Sequence, residues 1–224
     1  MAIATKYFSL EVDMATERLA CTDAAYFSYK TSGSVVMLDD PSRPQRVGRF
    51  SLYYIDVDAA LNAGTSVSDV FRARNATAEY FAEIFQPAPL RLSNQLADLS
   101  GDPDSWGNVM IIDKVEILPS YRSSGLGLVV ARRLIERYSA GATVVVLRPM
   151  PSQCRISTPM EREWLDQLAP DKFPADPQSG MQKLRRVMSR LGFKSAGRSE
   201  SMYRLADSML PTPAELLKNP MQQH

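Results

Sequence analysis

One strand–turn–helix–strand sequence, between residues 108 and 147, constrains the fold of this chain most strongly. Asn108 to Leu118 is rich in aliphatic and β-branched residues and ends before Pro119. Gly125 to Tyr138 places apolar residues at helical spacing and charged residues on the opposite side. Thr143 to Leu147 is an uninterrupted apolar run, typical of a strand buried on both faces. This order predicts a βαβ unit whose two strands are parallel neighbours.

Composition narrows the class of protein. The 224 residues suffice for one large domain, or for one domain with an extension. The 26 basic and 25 acidic residues leave a formal net charge of +1, so we expect no nucleic-acid partner. No apolar run approaches the ~20 residues that span a bilayer, and the early charges do not fit a signal peptide, so we expect no membrane partner. Only Cys21 and Cys154 occur, which favours a reducing, cytoplasmic location.

The single histidine limits the available chemistry. His224 is the last residue, so Ser-His-Asp and Cys-His catalysis, HExxH metal sites and an internal histidine base are all unexpected. With so few cysteines and histidines, we expect no metal site. Any catalysis must then use carboxylates, tyrosines, serines, arginines or backbone groups.

Hydrophobic periodicity and turn residues predict the remaining elements and an α/β fold class. Before residue 108 we expect a helix-loop segment over Met14 to Lys30, strands at Val35–Leu38 and Val47–Val57, a helix over Val67–Phe85, and a polar, turn-rich stretch over Leu90–Gly107. After residue 147 we expect a proline-rich interruption over Pro149–Gln178 with one short helix around Glu161–Leu168, a helix over Met181–Leu191, two short strands within Phe193–Leu205, and a tail after Asp207 that covers the surface or frays.

The turn between the strand and the helix has the chemistry of an anion cradle. It reads Arg122-Ser123-Ser124-Gly125-Leu126-Gly127. The first amides of a helix have no intrahelical acceptor and lie at the positive end of the helix dipole. Glycines let a phosphate approach the backbone. A P-loop would need Gly-Lys-Ser/Thr, and a dinucleotide-binding turn would need Gly or Ala where Val130 stands. Close helix–sheet packing is the purely structural alternative for Gly125 and Gly127.

The same residues resemble the acyl-CoA-binding motif of the GNAT superfamily, the GCN-related N-acetyltransferases. Arg122, Gly125 and Gly127 match Arg/Gln-x-x-Gly-x-Gly/Ala, and the preceding strand ends in apolar-x-Pro-x-Tyr, with Tyr121 last. Further on, LRRVMSRLGF (184–193) is similar to the family helix that ends in Leu-Gly-Phe. The resemblance covers residues 108–147 and 180–205, and the first hundred residues carry no diagnostic pattern.

The resemblance implies a GNAT acyl-CoA N-acyltransferase fold, in which the fourth and fifth strands of a mixed sheet splay apart. We expect one domain over residues 1–206, with 149–178 as an insertion and 207–224 as an extension. The implied activity is N-acetyl transfer from acetyl-CoA, the co-substrate, to a small-molecule or peptide amine, with a homodimer left open. The pantetheine arm would pair with the strand near Ile117 and Leu118, and the pyrophosphate would rest on the amides of Arg122, Ser123, Ser124, Gly125, Leu126 and Gly127.

Two acids are candidates for the general base. Asp113 lies four residues before Ile117, where family members often carry a carboxylate. By simple alternation, the side chain of Glu116 lies on the face of the strand opposite to Asp113, unless a β-bulge changes which residues share a face. We favour Asp113 over Glu116, and a structural role for both acids is the alternative.

The general acid is harder to assign. The tyrosine that serves as the general acid in the family corresponds to Met188, so Tyr203 or Tyr121 would have to substitute, or the thiol leaves without a dedicated acid. This departure keeps open a non-catalytic acyl-CoA sensor or scaffold. A nucleotide-phosphate binder is a third hypothesis.

Overall fold

The computed structural model describes residues 8–13, 23–39, 43–102, 104–122, 124–151, 159–168, 176–197 and 199–217. Its strands are β1 (Phe8–Val12), β2 (Ser28–Met37), β3 (Gln45–Ile55), β4 (Phe85–Pro87), β5 (Leu90–Leu92), β6 (Asn108–Ile117), β7 (Ala142–Leu147), β8 (Lys194–Ser195) and β9 (Met202–Leu205). Its helices are α1 (Val57–Asn62), α2 (Val67–Arg72), α3 (Tyr80–Ile84), α4 (Asn94–Ser100), α5 (Pro119–Arg122), α6 (Leu126–Tyr138), α7 (Pro159–Gln167), α8 (Pro177–Ser189) and α9 (Pro213–Leu217), and a short 3-10 helix spans Asp23–Phe27.

A mixed seven-stranded sheet in the order β1-β2-β3-β6-β7-β9-β8 organises the fold. Its strands pair antiparallel except β6 and β7, which are parallel and joined through α6. The parallel pair and the α/β class predicted from the sequence are therefore confirmed. The strands β4 and β5 form a separate two-stranded sheet.

Each face of the large sheet has its own hydrophobic core. On the α6 face, Met110 and Ile112 pack with Leu134 and other apolar residues of α6. On the opposite face, which we call the α2 face, Val109 and Ile111 pack with Phe71 and its neighbours. Because β6 and β7 are covered on both faces along this stretch, their sequences are apolar without alternation.

The predicted helix over Val67–Phe85 is wrong in its middle. The structure has two short helices, α2 and α3, separated by residues 73–79. Thr77 is fully buried in this gap, and its hydroxyl donates to the carbonyl of Phe71 at 2.6 Å and to that of Arg74 at 3.0 Å. A threonine that bonds nearby carbonyls offers the chain an alternative to the helical hydrogen-bond pattern.

Three other segments differ from their sequence predictions. The stretch expected to be polar and turn-rich contains β5 and α4, because Leu92 and Leu96 bury their side chains. At the end of β3, Asp56 accepts the amide of Ala59 at 3.0 Å, so α1 begins at Val57 where the strand was expected to continue. The predicted helix-loop over 14–30 lies partly outside the described residues, and Ser28 already begins β2.

The described part of the C-terminal tail packs against the α6 face. Leu216 is 2% exposed and belongs to the core on that face. Arg132 donates to the carbonyl of Pro211 at 2.7 Å, and Arg190 donates to that of Leu216. Among the described residues, no helix has the length and apolar character that a bilayer crossing requires.

Candidate functional site

A cleft opens where the parallel strands part. The pairing of β6 with β7 ends at Ile112 and Leu147, but β6 continues to Ile117. The cavity within this cleft has a volume of about 60 Å³ and opens to solvent. Its lining residues are Ile112, Asp113, Lys114, Val115 and Glu116 of β6, Leu147 at the end of β7, Arg148, Pro149 and Met150 after it, and Leu184 and Met188 of α8. The splayed pair expected from the sequence is therefore present, and three of the residues named there, Asp113, Glu116 and Met188, line it.

A β-bulge at Asp113 changes which acids share a face. Ser51 of β3 pairs with Lys114 and Leu52 pairs with Ile112, so Asp113 is the additional residue. The carboxylate of Asp113 accepts the Ser51 hydroxyl at 2.6 Å. Ile112 and Ile117 both belong to the α6-face core. In a regular strand, two residues five positions apart would lie on opposite faces. The bulge thus brings Asp113 and Glu116 to the α2 face together, so the placement expected from simple alternation is wrong and the alternative with a bulge applies.

Glu116 is the more enclosed of the two acids. Its side chain is 6% exposed and forms an ion pair with Arg49. It also accepts the indole N–H of Trp164 at 3.0 Å. The guanidiniums of Arg46 and Arg49 lie 4.9 and 5.4 Å from the centre of that indole ring. Glu116 therefore has partners on two other elements, which suits a structural carboxylate better than a proton acceptor for substrate.

The backbone groups of Leu118, which were expected to pair with the pantetheine arm of CoA, are already hydrogen-bonded within the protein. The Leu118 amide donates to Val47 at 2.9 Å, and its carbonyl accepts the Tyr121 amide at 2.9 Å. The carbonyl of Ile117 accepts the Nε of Arg122 at 2.8 Å. Leu118 is therefore not available for a ligand. Because alternate residues of an antiparallel strand face each neighbour, the backbone groups of Val115 are directed at the cleft instead.

The two glycines of the turn have different physical roles. Gly125 lies at the N-cap of α6 with φ +79°, a left-handed conformation that favours glycine. Gly127 has ordinary helical geometry, and a Cβ there would meet only Cγ1 of Ile117, at 3.6 Å. Close helix–sheet packing therefore does not require a glycine at 127. Within the described part of the chain no side chain caps α6, and helical geometry leaves the amides of Leu126 and Gly127 without intrahelical acceptors.

Other residues of the turn serve to hold it in shape. Ser124 donates to the carbonyl of Tyr121 at 2.7 Å. The guanidinium of Arg122 donates through Nη2 to the carbonyl of Leu168 at 2.7 Å, and burial lowers its pKa. Ser123 lies outside the described residues.

The tyrosines proposed as general acids do not line the cleft. Tyr203 is 1% exposed in the α2-face core, and its hydroxyl lies 2.9 Å from both Glu83 Oε2 and Ser199 Oγ. Burial raises the pKa of Tyr203. Tyr121 donates to Gln45 at 3.2 Å. The sequence prediction that Tyr203 could be the general acid is therefore corrected. Tyr203 lies on β9, between β7 and β8, and this position places its side chain in the α2-face core instead of the cleft.

Two residues that matter at this site were not singled out from the sequence. Arg148 lines the cleft and pairs with Glu79 at 2.5 Å and Glu83 at 2.6 Å. Its position directly after the apolar run of β7, at the carboxyl end of a parallel strand, was the available signal. Trp164 lies in the proline-rich insertion and gave no such signal, because its partners are distant in sequence.

The described residues contain no group of three or more His, Cys, Asp or Glu side chains that could hold a metal ion. No protein-family model, no curated protein and no solved structure matches this chain.

Proposed function

We propose that this chain has a GNAT-like fold and transfers an acetyl group from acetyl-CoA to an amine in the cytoplasm. The observation that carries the proposal is the parting of β6 from β7 directly beside the N-terminus of α6. An extended ligand with an anionic group fits this arrangement, because the cleft offers a strand edge and the turn offers helix amides.

Binding would use backbone groups at both ends. The pyrophosphate of CoA would contact the amides of Leu126 and Gly127 at the positive end of α6. The pantetheine amides would pair with Val115, whose backbone groups are directed away from β3. The thiol and its acyl group would then reach the bulge at Asp113.

The chemistry requires a neutral amine, an oxyanion donor and departure of the thiolate. The amine nitrogen attacks the thioester carbonyl carbon, the C–S bond breaks, and CoA leaves. Asp113, directly or through one water, accepts the amine proton. A backbone N–H at the open edge of β6 stabilises the tetrahedral oxyanion. The thiolate finally takes up a proton.

A non-catalytic acyl-CoA sensor or scaffold is the second candidate. It is favoured by Met188, which lines the cleft at the position where the family tyrosine is expected, and by the enclosure of Tyr203. Neither side chain would protonate the departing thiolate.

Release of free thiol distinguishes the two candidates. Purified protein would be mixed with acetyl-CoA and a library of small amines, amino acids and peptides. We expect amine-dependent thiol release that is strongly reduced in the Asp113→Asn variant. Binding of acetyl-CoA without release for any amine in the library would favour the sensor instead.

A further inference from the structure

Two segments that line the cleft, one ending at Met150 and the other in α8, are separated in sequence by helix α7. Helix α7 contacts β6 on the α2 face of the sheet, whereas α8 packs on the α6 face. Met150 lines the cleft before the insertion, and Leu184 and Met188 line it afterwards. Helix α7 contacts Glu116, which points to the α2 face, whereas the C-terminal part of α8 packs on the α6 face. The insertion is therefore placed between two cleft-lining segments.

Trp164 anchors the second half of α7 to β6. Its side chain is 9% exposed and lies against the guanidiniums of Arg46 and Arg49. Its indole N–H donates to Glu116, which itself lines the cleft. A buried carboxylate is costly unless charged and hydrogen-bonding groups surround it, and Arg49 and Trp164 supply both. This anchor gives α7 one defined position.

The C-terminal end of α7, one helical turn after Trp164, is bound to the turn at residues 122–127. Leu168, directly after the helix, is 2% exposed, and its carbonyl accepts Nη2 of Arg122. The same guanidinium donates through Nε to the carbonyl of Ile117 at the end of β6. The segment Trp164–Leu168 thus runs from the cleft-lining residue Glu116 to the turn that would hold the pyrophosphate.

We propose that α7 forms the wall of the acyl-CoA cleft on the α2 face, with Trp164 as the positioning residue that holds this wall in place. This inference rests on the proposed function. A CoA molecule bound between Val115 and Gly127 lies beside Trp164–Leu168 over its pantetheine arm. The wall leaves the Asp113 end as the approach for the amine. Glu116 is then a second positioning residue, because its carboxylate holds Trp164 and Arg49.

The fluorescence of Trp164 can report on ligand binding beside this wall. It has two tryptophans, and the other one, Trp106, is 46% exposed and precedes β6 at the strand end away from the cleft. A Trp106→Phe variant would be titrated with CoA while Trp164 emission is recorded, with binding measured in parallel by calorimetry. We expect a saturable change in Trp164 emission whose midpoint matches the calorimetric one. In the matched Trp164→Phe variant, Trp106 emission should not respond.

A kinetic measurement adds a readout that simple packing would not affect. Trp164→Phe keeps an aromatic ring but removes the N–H that Glu116 accepts, so the wall loosens. We expect CoA to dissociate about tenfold faster, since changes at an interface act mainly on the dissociation rate. Calorimetric CoA binding with silent Trp164 emission and an unchanged dissociation rate would overturn the wall but leave the proposed function standing. No CoA binding by the wild-type chain would overturn both.

Discussion

The glycines of the turn at residues 122–127 offer the sharpest test at the scale of single residues. A Cβ at Gly127 would meet Ile117 at an ordinary van der Waals distance, so Gly127→Asp should fold. The added carboxylate would repel the pyrophosphate at the start of α6. We therefore expect loss of CoA binding by calorimetry with a nearly unchanged melting temperature. Gly127→Ala is the matched control and should keep CoA binding. Full affinity in Gly127→Asp would show that CoA does not use this turn.

Gly125 should respond differently, because its backbone has φ +79°. An alanine in the left-handed region costs about 1 kcal/mol. We expect Gly125→Ala to lower the free energy of unfolding in urea by about this amount, whereas Gly127→Ala leaves it unchanged or raises it. Equal stability of the two variants would contradict the assignment of strain to Gly125.

Substitutions of the two acids of β6 should have different effects: we expect a change at Asp113 to lower the rate of acetyl transfer and a change at Glu116 to lower stability. Once an amine acceptor is known, Asp113→Asn should lower kcat by about 10²–10⁴-fold, because asparagine cannot accept the amine proton. The defect should shrink at high pH, where more of the amine is already neutral.

Glu116→Gln is the matched comparison for that experiment. It should mainly lower the melting temperature, since it breaks a buried pair with Arg49. A stable Glu116→Gln variant with the larger loss of kcat would reverse the two roles.

The residues of the candidate site were only partly predictable from the sequence. The sequence predicts Gly125 and Gly127 as candidates because the chemistry of the turn is local. The role predicted for Tyr203 was wrong because the order of strands in the sheet decides whether its side chain lies near the cleft. That order depends on pairing between residues distant in sequence. The shared face of Asp113 and Glu116 depends on one additional residue in β6, which the alternation of the sequence does not reveal.

At the scale of elements, helix α9 provides a test of the C-terminal tail. Leu216 is 2% exposed, whereas Met209, in the same tail, is 95% exposed. Leu216→Ala should cost about 2–5 kcal/mol in free energy of unfolding, as expected for a buried leucine. Met209→Ala should change it by less than about 0.5 kcal/mol. Equal effects in urea denaturation would mean that α9 does not belong to the core.

The contact between α3 and β9 should make stability depend on acid pH. Burial tends to raise the pKa of Glu83, but hydrogen bonds from Ser199 and Tyr203 and the charge of Arg148 outweigh it, so the pKa lies below its usual value. A lowered folded-state pKa stabilises the protein above the unfolded-state pKa. That contribution is lost as the pH falls through the folded-state value. We expect the melting temperature of the wild type to fall more steeply below about pH 4.5 than that of Glu83→Gln. Parallel curves would contradict this.

Elements with strong local signals were predictable, and those shaped by distant contacts were not. The sequence predicts β6, α6 and β7 because their apolar patterns are long and their ends carry Pro119 and glycines. The division of residues 67–85 into α2 and α3 depends on buried Thr77, whose hydroxyl competes with the helix. Helix α4 was missed because only Leu96 and Ala97 bury side chains on a short, otherwise polar segment.

For the chain as a whole, the proposed function requires that the cleft and the turn recognise CoA together. The most direct test is the melting temperature of the full chain with CoA, acetyl-CoA, ATP or NAD, with Gly127→Asp as the control. At a hundredfold excess over Kd, a ligand specific for the native state adds about 2.7 kcal/mol, or roughly 5–10 °C for a chain of this size. We predict such a shift with CoA and acetyl-CoA only, and none in Gly127→Asp. No shift at millimolar CoA, or an equal shift with ATP and NAD, would contradict the account.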